Sequence, residues 1–135
     1  LPVIQWIYDR QRNIQKPVLF ISLSDKIINH SSGFAKSVAA LAVNYDVHIV
    51  AGVPYNTPEL CRKVVNWCET NLGVPVWNRV TITNHKNLLL ADYLIDAEPE
   101  VNGAPDFMGT LIHFGSEAFK TWEDVVTYFG RLGGQ

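Results

Sequence analysis

The sequence predicts a single α/β domain: a three-layer, Rossmann-like parallel sheet of five strands with helices on both faces. Two observations carry this. Five short segments rich in β-branched and aromatic residues recur, Pro17 to Leu23, Val47 to Ala51, Arg79 to Thr83, Tyr93 to Ile95 and Thr110 to Phe114. Most are nearly continuous apolar runs, as strands covered on both faces must be. Amphipathic stretches separate several of them, and strand and helix alternating through short connections imply right-handed crossovers.

The helices follow from their end signals. A helix from about Val3 to Arg12 precedes the first strand. Ser31 or Ser32 opens the next, which runs through Val38, Leu41 and Ala42. Thr57 caps a third, with Pro58 in the first turn, where its missing N–H costs nothing. Leu60, Val64 and Trp67 share one face of it, and Gly73 suits a left-handed stop. Thr121 caps the last, with Glu123 and Asp124 in the first turn, Val125, Val126 and Phe129 apolar, and Gly130 ending it.

At 135 residues, with 47% hydrophobic and 18% charged residues, the chain suits one core, and no repeat, low-complexity stretch or linker divides 1–135. A formal net charge of -2 offers no basic face for nucleic acid. No apolar run approaches the roughly 20 residues of a membrane span, and the opening lacks the features of a secretory signal. The expectation is a soluble protein of the cytoplasm or another reducing intracellular compartment, an organelle matrix included. Cys61 and Cys68, on one helix, would stand about 10 Å apart along its axis. That exceeds disulfide reach, and with no partner ligands at close spacing both read as small buried apolar residues and not as a zinc site.

Ligands of such sheets sit beyond the carboxyl ends of the strands. The stretches to question are therefore Ser22 to Lys26, Ala51 to Tyr55, Asn84 to Lys86 and Asp96 to Glu98. There DYLID at 92–96 is preceded by TNHKNLLLA and followed by NGAPDFMGTLIHFGS. This arrangement resembles the 5'(3')-deoxyribonucleotidases of the haloacid-dehalogenase (HAD) superfamily, in which a TNxK strand end leads into GDYLIDD and then an IHFGS-like strand. VHIVAGVPYNTPELCRKVVNWCETNLG is similar to that family's second motif and its helix. The match is continuous from about Val47 to Val125, whereas KPVLFISLSDKII has the apolar first strand without the acidic signature.

The resemblance implies a HAD-like fold and a particular phosphate chemistry. An aspartate attacks phosphorus, and a second, two residues later, serves as general acid and base. A Thr or Ser and a Lys hold phosphate oxygens, and an acidic pair helps to bind magnesium. Aligned by the apolar run, the nucleophile position falls on Ser22 and the acid–base position on Ser24. The second-motif threonine falls on Ala51, the lysine on Lys86, and the acidic pair on Asp96 and Ala97. An unactivated serine is a poor nucleophile and a poor magnesium ligand. The family's cap, inserted between the first two motifs, has no room between Asp25 and Asp46.

The expectation is thus a catalytically degenerate, capless relative. It would serve as a structural or protein-binding module, as a homo-oligomer or a subunit of a larger assembly, with no cofactor and with magnesium only if active. Two alternatives stand beside it: a weak magnesium-dependent 5'-nucleotidase on deoxyribonucleoside monophosphates, and nucleotide or phosphate binding without chemistry. In those readings Lys86, Ser22 and Ser24 hold phosphate and Asp96 holds the metal.

Other residues have an ordinary and a sharper reading. Asp25 is a turn or capping residue, or else a displaced nucleophile; Lys86 and Asp96 are a structural pair, or else hold an anion and a cation. Glu98 and Glu100 form a solvated acidic edge or replace metal ligands. His30, His48, His85 and His113 are scattered; His48 and His113, inside strands, read as hydrogen-bonded core imidazoles, and His85 alone lies near the pocket. Ser22 and Ser24 with His85 lack the elbow motif and orienting carboxylate of a serine hydrolase. Tyr55 and Asn56 line the pocket mouth or face solvent. Trp6, Trp67, Trp77 and Trp122 are interface anchors or core.

Overall fold

The computed structural model describes residues 16–29 and 33–133. The expected helix from Val3 to Arg12 with Trp6, the Ser31 or Ser32 cap, and His30 lie outside the described residues. Along the chain run β1 (Val18–Ser22), α1 (Asp25–Asn29), α2 (Phe34–Leu41), β2 (Asp46–Ala51), α3 (Pro58–Asn71) and a 3-10 turn, η1 (Val74–Val76). Then come β3 (Val80–Ile82), η2 (Lys86–Leu88), β4 (Tyr93–Asp96), η3 (Ala104–Asp106), β5 (Thr110–His113) and α4 (Trp122–Gly133). The five strands are all parallel, in the order β3-β2-β1-β4-β5.

Side chains alternate across the sheet, and the alternation decides what each face holds. Leu19, Ile21, Val47, Ile49, Ile95 and Ile112 point to one side, against Phe34, Val38 and Leu41 of α2, Cys68 of α3, and Trp122, Val125 and Phe129 of α4. Phe20, Val50 and Leu94 point to the other, against Ala104 and Phe107, with Leu89 and Ala91 partly buried beside them. Helical layers cover both faces, but among the described residues the second is made of η2, η3 and adjoining loops. Its connections resist longer helices: Pro99 and Pro105 interrupt them, and Asn102 and Gly103 take positive φ of 54° and 80°.

The element ends differ from expectation in instructive ways. Ser24, not Asp25, caps the unforeseen α1, its Oγ accepting from the Ile27 amide at 3.4 Å. Thr57 and Pro58 do begin α3, yet the Thr57 hydroxyl donates backwards to the Pro54 carbonyl at 2.6 Å and leaves the helix uncapped. Leu60 is exposed in that first turn, while Val64 and Trp67 pack on the core. Gly73 closes the segment at φ 70° as expected. Thr121 caps α4 through its Oγ1 to the Asp124 amide, and Asp124 Oδ2 accepts from the Thr121 amide in return. Gly130 does not end α4, which continues to Gly133 because Tyr45 donates to the Phe129 carbonyl at 3.1 Å and packs beside Gly133.

The strand histidines are not core imidazoles. His48 is half-buried, stacks on Phe20 at 4.9 Å and places Nε2 3.1 Å from Asp46 Oδ1. His113 is exposed, because it ends an edge strand on the side without α-helical cover. Of the tryptophans, Trp122 is buried, Trp67 stacks on Phe34, and Trp77 is 57% exposed.

Candidate functional site

Chain order reverses between β1 and β4, and it is at the carboxyl ends of strands at such a reversal that sheets of this kind place a ligand crevice. Ile21 pairs with Ile95, so Ser22 and Asp96 stand side by side one step further on. Ser22 is 7% and Asp96 1% exposed. Lys86, 3% exposed at the start of η2, is fixed by its amide donating to the Asn102 carbonyl at 2.7 Å. Its ammonium donates to Asp96 Oδ2 at 2.5 Å, and Asp96 Oδ1 accepts from the Glu98 amide at 2.8 Å. The lysine charge is neutralised inside the protein, and both carboxylate oxygens are engaged.

The remaining motif positions lie at the same strand ends. Ser24 is half-buried, its hydroxyl occupied as the α1 cap. Ala51 and Ala97 are buried methyl groups. Asp25 is exposed, as are Glu98 and Glu100. His85 is exposed too. Tyr55 is 98% exposed, beside Asn56 at φ 58°.

One contribution to the crevice went unnoticed in the sequence. Asn84 donates to the Val53 carbonyl at 2.9 Å and, with Asn102, lies over Gly52; a Cβ at Gly52 would collide with Asn84 and come within 3.0 Å of the Asn102 amide nitrogen. The glycine in VAGVP was the available signal, a place where chain must pass close to side chain.

Among the described residues no group of three or more His, Cys, Asp and Glu side chains could hold a metal ion. Asp96 is the buried carboxylate among the described residues, and its two oxygens already accept from Lys86 and the Glu98 amide. The residues present do not fit a magnesium site, since that hard ion needs several oxygens at octahedral geometry.

Fold and edge define a class, parallel α/β domains whose ligand crevice lies between β1 and β4. No family model matches the chain. A protein of Vibrio phage KVP40 named "Putative 5'(3')-deoxyribonucleotidase" is 35% identical over 105 residues, covering 76% of this chain and 61% of the phage protein. The chain belongs to the 5'(3')-deoxyribonucleotidase-like family, as DYLID and IHFGS implied, and spans about 61% of the length of the relative it matches. No helix among the described residues is long and apolar enough to cross a membrane.

Proposed function

We propose that this chain is a non-catalytic member of its family, serving as a structural or protein-binding module. The observation that carries the reading is the self-satisfied edge. Lys86 and Asp96 neutralise each other, and the resemblance puts Ser22, Ser24, Ala51 and Ala97 at the positions where attack, proton transfer and metal binding call for carboxylates or a threonine hydroxyl. Its partner is a protein, either another copy of the chain or a larger assembly.

A specific observation keeps a second reading in view. Lys86 and Asp96 are the residues a phosphatase would retain, and the phage relative carries a nucleotidase name. That reading makes the chain a weak magnesium-dependent phosphatase on deoxyribonucleoside monophosphates. A third variant keeps nucleotide or phosphate binding alone, through Lys86, Ser22, Ser24 and the amides after Leu23.

Phosphate release from a panel of deoxyribonucleoside monophosphates, with and without magnesium and at high protein concentration, separates these. No release above background is expected. Magnesium-dependent release that falls when Lys86 or Asp96 is replaced would overturn the non-catalytic reading. Calorimetric titration with the same nucleotides and with inorganic phosphate addresses binding, and a flat trace at millimolar ligand is the expected result.

A further inference from the structure

The one asparagine of the chain that precedes a glycine is Asn102, in VNGAP, and the fold calls for this pair. Asn102 and Gly103 take φ of 54° and 80°, and the Ala104 amide donates to the Val101 carbonyl at 3.1 Å. This is a tight turn with both central residues in the left-handed region, the geometry for which Asn-Gly is the favoured dipeptide. Position 103 admits nothing larger, since a Cβ there would fall on the Asn87 side chain and come within 3.1 Å of the Asn87 backbone nitrogen.

The same pair carries a reactivity. A backbone nitrogen can attack the side-chain carbonyl carbon of the asparagine before it, and glycine, lacking a Cβ, shields that nitrogen least. Asn102 is exposed, and among the described residues nothing accepts from the Gly103 amide, so nucleophile and water are both at hand. Asn56 and Asn78 share the positive φ, at 58° and 59°, but precede Thr57 and Arg79, whose side chains screen the nitrogen. The surroundings of Asn102 give the reaction a consequence. Its carbonyl accepts from the Lys86 amide at 2.7 Å and so fixes the start of η2, from which Lys86 reaches Asp96.

We propose that Asn102 is a site of spontaneous deamidation that unfastens the backbone of Lys86. The deprotonated Gly103 nitrogen bonds to Asn102 Cγ, the Cγ–Nδ2 bond breaks, and ammonia departs, taking up through water the proton that the nitrogen gave. Water then opens the resulting five-membered imide. Attack at Cγ restores the peptide bond and leaves aspartate; attack at the main-chain carbon routes the chain through Cγ and leaves isoaspartate. Either product adds one negative charge to the formal -2. Isoaspartate also lengthens the main chain by one carbon and turns the carbonyl that holds the Lys86 amide into part of a free carboxylate. Water is the sole co-reactant, and the proposal holds whether or not the chain is catalytic.

Incubation of the full chain at pH 7 and pH 8, followed by peptide mass spectrometry that separates aspartate from isoaspartate, tests the reaction. Conversion at Asn102 is expected to be at least tenfold faster than at Asn56 or Asn78, with isoaspartate the larger product, and to quicken at the higher pH as the Gly103 amide loses its proton. Conversion no faster than at those two, or seen only after denaturation, would overturn the proposal. Hydrogen exchange over 84–88 reads the consequence. The isoaspartate fraction is expected to exchange the Lys86 amide at least tenfold faster than fresh protein, whereas Asn102→Asp, which keeps the main-chain carbonyl, retains its protection. Equal exchange in the fresh and isoaspartate fractions, or the same loss in N102D, would overturn the link to Lys86.

Discussion

Asp96 engages one oxygen with the Lys86 ammonium and the other with the Glu98 amide, and the resulting ion pair is buried. Removing one member of such a pair strands the other charge without water, a cost of about 3–5 kcal/mol, whereas removing both exchanges ions for packing. Lys86→Met alone is expected to destabilise by about that amount in urea titration, and K86M/D96L by clearly less than the sum of the single changes. Additive losses would show that the two side chains are not paired. Cysteine chemistry gives a second check at this scale. Burial pushes the Cys68 thiol up to about 11, while Cys61 is only half-buried. Because the folded value is raised, the stability from keeping that thiol neutral is complete below the ordinary thiol pKa and lost as pH rises through the folded one. Iodoacetamide at pH 8 should modify Cys61 in the native protein and Cys68 only after denaturation; equal rates at both would contradict the packing of α3.

Among the elements, α4 has the best-defined start. Thr121 and Asp124 satisfy each other's amides, and Thr121→Ala is expected to cost about 1 kcal/mol, measured by thermal or urea unfolding. No measurable change would mean that the cap is made by another group. Sequence pattern located every strand, because a short apolar run bounded by turn residues suits a strand buried on both faces and is too brief for a core helix. It located α3 and α4 too; in α4 the cap and apolar positions agree, whereas in α3 Thr57 leaves the helix uncapped and Leu60 is exposed. It missed α1, since Asp25 to Asn29 is too short to show a period, and stopped α4 early at Gly130. A glycine within a helix costs only about 1 kcal/mol, and contacts of Tyr45 with Phe129 and Gly133 supply the compensation. At the crevice, motif spacing brought Ser22, Lys86 and Asp96 to one place. It could not reveal that Lys86 points into Asp96, that Ser24 is consumed as a cap, or that Asn84 and Asn102 cover Gly52, because side-chain direction depends on neighbours distant in sequence.

For the molecule as a whole, a second set of charge pairs, centred on Asp46, stands at the amino-terminal end of the sheet. Burial would raise the Asp46 carboxyl, but hydrogen bonds from Arg79 at 2.8 Å and from His48 outweigh it and hold the group below the usual carboxylate range. A lowered folded value contributes stability above the unfolded carboxylate pKa of about 4, lost as pH falls through the folded one. Asp46→Asn should therefore flatten the acid limb of stability against pH, and a limb identical to that of the unmodified protein would exclude the Asp46–Arg79 pair as its source. The strand order has a consequence of another kind. β1 is flanked by β2 on one edge and β4 on the other, and Leu19 must wait for Tyr93 before that second edge closes. During synthesis the middle of the sheet is thus a bare ladder for most of the chain's emergence, and open parallel edges both fold slowly and recruit strangers. Ribosome-bound chains halted before Tyr93 are the ones for which a chaperone matters most.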